Sequence, residues 1–335
     1  MFMLAPPPPD PVQTNRETLP SGGAPEVPRE ARPNFFIVGA PKGGTTAMSD
    51  YLGSHPDIFM ARKEMHFFGR DLRFAQHFYR RAEAEYLAEF AGWKGQRRIG
   101  EASVWYLFSE LAAAEIKAFS PSAKIIIMLR EPVSMMYSLY RYFRFDGNEP
   151  LPTFEAALAA EPERRAGGGQ GRQTYFAPGL VYREAARYAH QVRRYYEVFG
   201  PGQVHVVLFD DLAAHPATVY RSILEFLAVD ATRSLPQFER VNAAKTVKNR
   251  TLQAILNDPT LRSAILAVRP LLPNLLFRGL DRIRGRIQGL NSSVERPQPL
   301  DPELKARLRR EFAAEVAELS TLIGRDLSRW TAAEP

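Results

Sequence analysis

Short apolar runs alternate with longer amphipathic stretches along most of the chain. Residues 35–38, 124–129 and 204–209 have the length and apolar composition of buried strands. Residues 183–199 and 303–323 instead have the apolar spacing of helices. Strands that alternate with helices indicate a parallel sheet with helices on both faces. The sequence therefore predicts an α/β fold with three layers, a central parallel sheet flanked by helices.

Two segments depart from this alternation. The first 33 residues hold nine of the 27 prolines and little apolar material after Met1 to Ala5. This composition is typical of a disordered tail, so we expect the folded domain to span residues 34–332. Arg164 to Gln173 is rich in arginine and glycine, and we expect it to form a mobile surface loop.

The overall composition narrows the classes of ligand. With 335 residues, of which 45% are hydrophobic, the chain can bury a large core. The formal charge of +7 is spread along the chain, which favours an anionic ligand without predicting nucleic acid as a partner. The chain has no cysteine, which excludes disulfides and thiolate zinc sites. We find no signal peptide and no apolar run of about 18 residues, so we expect a cytoplasmic protein.

The most informative segment is Phe-Phe-Ile-Val-Gly-Ala-Pro-Lys-Gly-Gly-Thr-Thr at residues 35–46. It predicts a buried strand that leads into a glycine-rich turn and then into a helix from Thr45 to Leu52. Gly43 and Gly44 allow a close approach of the backbone to an anion. Amide groups at a helix N-terminus, together with the ammonium group of Lys42, form an anion site.

The order of residues in this P-loop-like segment differs from that of a nucleoside-triphosphate P-loop. That loop places its lysine directly before the Ser or Thr that binds magnesium, whereas Lys42 precedes both glycines. Arg130 follows the second strand, where a magnesium-dependent enzyme usually has an aspartate. Both features favour an anion site without a metal. A nucleoside-triphosphate-dependent kinase and a non-catalytic nucleotide-binding scaffold remain as alternatives.

Over residues 34–330 the chain resembles sulfotransferases that use 3′-phosphoadenosine 5′-phosphosulfate (PAPS). The resemblance is to the heparan sulfate 3-O- and N-sulfotransferases and their bacterial relatives. The segment from Pro41 to Thr46 resembles their loop for the 5′-phosphosulfate. The resemblance implies that the donor is bound by Lys42, Gly43, Gly44, Thr45 and Thr46.

Arg130 and Ser138 resemble the pair that holds the 3′-phosphate in these enzymes. Arg130 ends a strand, where open α/β sheets bind ligands, and Pro132 is suited to begin a helix. Ser138 would then lie roughly 9 Å along that helix. The alternative is that Arg130 pairs with Glu131 or Glu101 and that the serine has no ligand.

The segment Lys-Glu-Met-His-Phe-Phe at residues 63–68 resembles the Lys-Glu-x-His-Phe-Phe segment of glycosaminoglycan sulfotransferases. The resemblance implies that Glu64 is the general base, which takes a proton from the attacking hydroxyl or amine. Lys42 would stabilise charge on the leaving phosphate. His66 would orient Glu64 or contact the acceptor, unless it is a core histidine. Lys63 would contact the sulfonate or an acidic substrate, unless it is a solvated lysine.

Residues 100–106 resemble a further segment of the family, in which aromatic residues and a serine would contact the acceptor. The predicted acceptor contacts are Ser103, Trp105 and Tyr106, with core packing as the alternative for the aromatic rings. Ala102 stands where the animal enzymes have a lysine for sulfated sugar, which favours a less anionic acceptor. We expect a small-molecule or glycan acceptor, with a carbohydrate or glycolipid favoured. Further acceptor contacts are expected from the loop at 145–180, including Arg172 and Tyr175.

Two basic segments near the C-terminal third carry the remaining predictions. Lys245 and Arg250 lie in a short basic run that could clamp the nucleotide, with a solvated helix start as the alternative. Residues 265–290 mix leucines with arginines. Such a segment can lie on an anionic membrane surface as a peripheral contact, or pack on the sheet as an ordinary amphipathic helix. The sequence leaves the oligomeric state open.

Overall fold

The computed structural model describes residues 31–74, 82–171, 174–233, 235–238, 245–247, 292–294 and 298–332. These residues include a parallel five-stranded sheet in the order β2-β3-β1-β4-β5. The predicted parallel sheet is thus confirmed. Its strands are β1 (Phe35–Gly39), β2 (Ile58–Met60), β3 (Arg98–Ala102), β4 (Lys124–Leu129) and β5 (Val204–Leu208).

Twelve helices are described around the sheet. The first six are α1 (Thr45–Gly53), α2 (Glu83–Ala88), α3 (Ala112–Phe119), α4 (Pro132–Asp146), α5 (Phe154–Ala159) and α6 (Glu161–Arg165). The others are α7 (Tyr182–Ala185), α8 (Tyr188–Phe199), α9 (Phe209–Ala214), α10 (Pro216–Phe226), α11 (Pro302–Glu311) and α12 (Ala313–Ile323). A separate antiparallel ribbon pairs β6 (Lys245–Val247) with β7 (Ser292–Val294).

The central strands are buried on both faces, and their side chains alternate between two apolar clusters. Phe36 and Val38 of β1 belong to one cluster, which contains residues of α3, α4, α8, α11 and α12. Phe35 and Ile37 belong to the other cluster, which contains residues of α1, α9 and α10. Helices therefore cover both faces, as expected for strands that are apolar at every position. This arrangement confirms the three-layer α/β fold.

Element bounds differ from the predictions where polar residues or local breaks intervene. The predicted helix at 183–199 is divided into α7 and α8, because Arg187 has a non-helical ψ of 81°. The helix predicted at 303–323 is divided at Phe312, whose ψ is 0°. Strands β2 and β3 were not predicted. Strand β3 contains arginine, glycine and glutamate, so it has no continuous apolar run.

The fold begins before the boundary predicted at residue 33. Ala31 is fully buried in the first core cluster. The Nη2 atom of Arg32 lies 2.7 Å from Oε1 of Glu83, at the start of α2. The folded region therefore includes at least residues 31–33. Residues 1–30 lie outside the described part of the chain.

Arg164 does not lie on a surface loop, which corrects part of the prediction for residues 164–173. It belongs to α6, and its guanidinium donates hydrogen bonds to both carboxylate oxygens of Glu149, at 2.7 and 2.8 Å. Both side chains are at most 1% exposed. Tyr182 also donates a hydrogen bond to Glu149, at 2.7 Å. This buried pair joins α6 to the segments on either side of it.

The two adjacent arginines of α6 offer a test of this pair. We expect Arg164→Met to lower the free energy of unfolding by about 3–5 kcal/mol, because it leaves the buried Glu149 carboxylate without its partner. Arg165 is 43% exposed at its side chain, and we expect Arg165→Met to cost at most about 1 kcal/mol. Urea denaturation measures both. Equal losses in the two variants would contradict the assignment.

Candidate active site

The loop between β1 and α1 is held close to the end of β4. The amide of Ala40 donates a hydrogen bond to the Met128 carbonyl at 2.8 Å. A β-carbon at Gly43 would lie 2.2 Å from the same carbonyl oxygen, so no other residue fits without movement of the backbone. Gly44 has a φ of 93°, in the left-handed region that favours glycine. The predicted need for glycine at 43 thus has a second cause, the close approach to β4.

The first turn of α1 follows this loop directly. Helices leave their first amide groups without intrahelical partners, and the cap residue Gly44 has no side chain to accept from them. The ammonium group of Lys63 donates to the hydroxyl oxygens of Thr45 and Thr46, at 3.1 and 3.2 Å. The ammonium group of Lys63 therefore lies at the start of α1. The predicted contact of Lys63 with a sulfonate requires this position.

Several cations converge on this loop. Burial first and the charge of Arg130 second lower the pKa of Lys42 to about 8, with smaller contributions from the charges of Lys63 and Arg141. The charge of Asp146 opposes this shift. Within the described residues, no carboxylate lies within 4 Å of the Lys42 ammonium or the Arg130 guanidinium. Lys42 and Arg130, which repel each other and have no such carboxylate partner, are suited to hold an anion.

Glu64 lies beside Lys63 at the edge of this cation cluster. Its Oε1 is 3.6 Å from the Lys63 ammonium, and its Oε2 accepts a hydrogen bond from the Val104 amide at 3.2 Å. Burial raises the pKa of Glu64 above its ordinary value, and the charge of Lys63 opposes this effect. A carboxylate whose pKa is raised is a stronger base, which suits it to accept a proton.

His66 is neutral near physiological pH. Burial lowers the pKa of its imidazole to about 4. Its Nε2 atom is 3.7 Å from Oε2 of Glu64, which is longer than a hydrogen bond. The ring packs against Phe74 at a centroid distance of 4.3 Å. The structure thus places His66 next to Glu64, in a state that cannot supply a positive charge.

A buried carboxylate lies beneath the Glu64 segment. Glu101 is fully buried in β3 and accepts hydrogen bonds from three hydroxyl groups. These come from Tyr86 at 2.6 Å and from Ser103 and Tyr106 at 2.7 Å each. Burial raises the pKa of Glu101 to about 7. The three donors satisfy a carboxylate that would otherwise be costly to bury.

The same hydroxyl groups fix the backbone that follows Glu64. Tyr106 accepts hydrogen bonds from the amides of Phe67 and Phe68, at 2.8 and 3.3 Å, and Ser103 accepts from the amide of His66 at 3.3 Å. Glu64 and His66 have φ values of 59° and 50°, in the left-handed region that costs energy for these residues. The hydrogen bonds to Ser103 and Tyr106 hold the segment in that conformation.

Comparisons with known proteins agree with this geometry. The sequence pattern of the sulfotransferase family matches residues 33–233. The chain belongs to the sulfotransferase family. A solved structure of a sulfotransferase from Alicyclobacillus acidocaldarius is 33% identical, with a TM-score of 0.66, and the match covers 90% of this chain and 99% of that one.

Two curated mouse sulfotransferases match part of the chain. Heparan sulfate glucosamine 3-O-sulfotransferase 3B1 is 28% identical over 197 residues, which are 59% of this chain and 46% of that protein. Bifunctional heparan sulfate N-deacetylase/N-sulfotransferase 1 is 28% identical over 205 residues, which are 60% of this chain and 22% of that protein. The chain thus spans less than half the length of either relative. Family membership favours the sulfotransferase interpretation over the kinase alternative.

Arg130 does not form the ion pairs that its sequence neighbours suggested. The Glu131 carboxylate caps α4 by accepting a hydrogen bond from the Ser134 amide at 2.7 Å. Glu101 is occupied by its three hydroxyl donors. The guanidinium of Arg130 instead lies over the ring of Phe209, 4.7 Å from its centroid. Ser138 is partly exposed on α4, which begins at Pro132 as predicted.

Three residues predicted to contact the acceptor are buried in this sulfotransferase. Ser103 and Tyr106 are fully buried and are engaged with Glu101. Trp105 is 5% exposed and packs against Phe176 at a centroid distance of 4.5 Å. We therefore withdraw all three as acceptor contacts, because their polar groups and rings are used within the core. Ala102 is also fully buried.

Other predicted site residues are only partly described. Lys245 lies in β6, which contacts α4, the helix that carries Ser138. Arg172, Arg250 and the segment 265–290 lie outside the described residues. Among the residues that are described, no group of three or more metal-ligating side chains occurs. No helix in the described ranges is long and apolar enough to cross a membrane.

Sequence reasoning did not identify Tyr142 and Asp146. The Lys42 ammonium lies 4.7 Å from the centroid of the Tyr142 ring. The Tyr175 hydroxyl, expected in an acceptor loop, donates a hydrogen bond to Asp146 at 2.8 Å. The positions 138, 142 and 146 are spaced by four residues in α4, so they share a helix face. The spacing of four and eight residues from Ser138 could have identified Tyr142 and Asp146 from the sequence.

The hydroxyl of Tyr106 offers a test of the support beneath Glu64. We expect Tyr106→Phe to lower the free energy of unfolding by about 1–3 kcal/mol, since two backbone amides, one of them in a buried hydrogen bond, lose their acceptor. Tyr196 is half-buried on α8, and its hydroxyl has no hydrogen bond within the described residues. Thermal or urea unfolding of Tyr196→Phe is the matched control and should show little change. A Tyr106→Phe protein as stable as this control would contradict the role of the hydroxyl.

Proposed function

We propose that this protein transfers a sulfuryl group from PAPS to a hydroxyl or amine of a carbohydrate-like acceptor. The convergence of Lys42, Lys63 and Arg130 at the β1–α1 loop carries this proposal. Neither Lys42 nor Arg130 has a carboxylate partner among the described residues. A phosphosulfate would supply the negative charge that this arrangement lacks.

The residues present fit the two charged ends of the donor. Amides of the first turn of α1, the side chains of Thr45 and Thr46, and Lys42 would hold the 5′-phosphosulfate. Arg130 and Ser138 would hold the 3′-phosphate, since Arg130 follows β4 and α4 begins two residues later. PAPS brings an activated sulfuryl group, so the protein has only to orient it and to manage the proton and the charge.

The chemistry assigned to this chain is an in-line displacement. A bond forms between the acceptor oxygen or nitrogen and sulfur, and the bond between sulfur and the bridging oxygen of the 5′-phosphate breaks. Glu64 accepts the proton that the acceptor loses. The electron pair of the broken bond stays on the phosphate, where Lys42 stabilises the charge. The Lys63 ammonium lies 3.6 Å from the Glu64 carboxylate and also donates a hydrogen bond to Thr45. It therefore lies between the proposed base and the threonine hydroxyls of the loop.

His66 has a positioning role in this proposal. Its imidazole is neutral near pH 7, so it neither donates a proton readily nor neutralises the donor. Its Nε2 atom lies 3.7 Å from Oε2 of Glu64, and the packing of its ring against Phe74 holds it beside the carboxylate.

Removal of the base tests the assignment of Glu64. We expect Glu64→Gln to lower kcat by about 10²–10⁴-fold, with a small change in affinity for the product nucleotide 3′-phosphoadenosine 5′-phosphate (PAP). Transfer of radiolabelled sulfate from PAPS to a glycan panel, together with calorimetric titration of PAP, measures both. Glu89 is a surface carboxylate paired with Arg62, and Glu89→Gln is the matched control. An active Glu64→Gln enzyme would refute the role.

The pH dependence tests the assignment of Lys42. Its ammonium must be protonated to stabilise the phosphate, and its pKa is about 8. We therefore expect kcat/KM for PAPS to fall as pH rises through about 8. In Lys42→Arg the alkaline fall should move to higher pH, because an arginine stays protonated there. Initial rates at constant ionic strength measure the profiles. An unchanged alkaline limb in the variant would exclude Lys42 as its source.

Formation of a sulfated product separates the remaining alternatives. A scaffold without catalytic activity would bind PAP and form no product with any acceptor. A kinase would need ATP and magnesium. The proposed enzyme should transfer sulfate from PAPS in the presence of a metal chelator.

A further inference from the structure

One face of α4 runs along the proposed donor site and continues beyond it. Ser138, Tyr142 and Asp146 follow one another at intervals of four residues, or roughly 6 Å each along the helix. In the proposed function, Ser138 contacts the 3′-phosphate. Tyr142 lies against Lys42, the residue assigned to the phosphate that loses the sulfuryl group. Asp146 then lies one turn further along, on the side away from the 3′-phosphate.

Tyr142 has an unusual exposure for its position. The residue is 44% exposed, and only one other large apolar residue in the described part of the chain, Leu235, is exposed. Its ring centroid lies 4.7 Å from the Lys42 ammonium. The charges of Asp146 and Glu64 both raise the pKa of its hydroxyl, after burial as the main cause. Tyr142 therefore lies against Lys42, the group assigned to the leaving phosphate in the proposed function.

The neighbourhood of Tyr142 is held in place by hydrogen bonds. The Tyr175 hydroxyl donates to Oδ2 of Asp146 at 2.8 Å, and the Asn148 amide donates to Oδ1 at 3.1 Å. The Asn148 side chain in turn accepts from the Tyr175 amide at 2.7 Å. Tyr175 is thus ordered before any acceptor arrives, which lowers the entropic cost of binding.

The groups beside Lys42 that are not assigned to the donor favour one class of acceptor. Lys42, Lys63 and Arg130 are committed to the donor in the proposed function. The remaining groups include the Glu64 carboxylate and the two tyrosines, while Asp146, whose pKa is raised by burial to about 7, accepts hydrogen bonds from Tyr175 and Asn148. Glu64 must be ionised to accept a proton, and its negative charge then repels a sulfated or carboxylated polymer, whereas an aromatic face with hydroxyl groups suits the mixed apolar and polar surface of a sugar.

We propose that Tyr142, Tyr175 and Asp146 form the acceptor subsite, and that the acceptor is an uncharged sugar or glycoside rather than a polyanionic glycan. Tyr142 offers its ring to the sugar, and Asp146 positions Tyr175. This inference rests on the proposed function, because the donor contacts assigned to Ser138 and Lys42 define which end of α4 faces the acceptor.

The subsite can be tested with the full-length protein saturated with PAP. Saturation-transfer NMR would measure binding of a panel of neutral methyl glycosides and of a heparin tetrasaccharide. We expect the wild-type complex to bind neutral glycosides and not the tetrasaccharide. Tyr142→Ala should weaken glycoside binding by about tenfold, while Tyr142→Phe, which keeps the ring, should lose much less. The affinity for PAP, measured by calorimetry, reports whether each variant is folded and retains the donor site.

The outcomes separate failure of the subsite from failure of the proposed function. If the wild-type protein does not bind PAP, the proposed function is wrong, and the subsite proposal that rests on it is wrong as well. If PAP binds but no neutral glycoside does, or only the tetrasaccharide binds, the subsite proposal is overturned. Equal glycoside binding by wild type and Tyr142→Ala also overturns it. Weaker binding in Tyr142→Ala with unchanged PAP affinity supports it.

Discussion

The site depends on the close contact between the loop after β1 and the last residues of β4. At Gly43 there is no space for a side chain, because the Met128 carbonyl oxygen would lie 2.2 Å from a β-carbon. This contact joins the two adjacent central strands at their carboxyl ends, where parallel sheets bind ligands. It brings Lys42 from one strand close to Arg130 from the other, and their mutual repulsion contributes to the lowered pKa of Lys42. The cation cluster thus follows from the packing of the backbone.

A second constraint supports the proposed base. The Glu64 segment has left-handed residues at Glu64 and His66, and such conformations persist only where the surroundings determine them. Glu101 accepts hydrogen bonds from the hydroxyls of Ser103 and Tyr106 and so fixes their positions. These hydroxyls in turn accept hydrogen bonds from backbone amides of the segment and hold its conformation. The rigid β3 strand therefore carries the support, and the loop carries the reactive group. The support from β3 thus keeps the Glu64 carboxylate in place beside Lys63.

The sequence predicted the elements whose causes are local. Strands β1 and β4 are continuous apolar runs, and Pro132 begins α4, so each could be located from adjacent residues. Interactions between distant residues were not visible in this way. The pairing of Arg164 with Glu149 and the engagement of Tyr106 by Glu101 satisfy buried polar groups, and sequence reasoning placed Arg164 on a loop and Tyr106 at the acceptor. Tyr142 was missed because an aromatic residue in a helix usually indicates core packing.

The central claim is that the β1–α1 loop binds a 3′-phosphorylated nucleotide without a metal. Calorimetric titration of PAP into the wild-type protein with a metal chelator tests it most directly. Gly43→Ala is the disruptive variant, and Gly53→Ala, where a β-carbon makes only an ordinary 3.5 Å contact, is its control. The account predicts binding to the wild type and to Gly53→Ala, weaker binding of adenosine 5′-phosphate, and loss of binding in Gly43→Ala. Absence of PAP binding, together with magnesium-dependent binding of ATP, would contradict it.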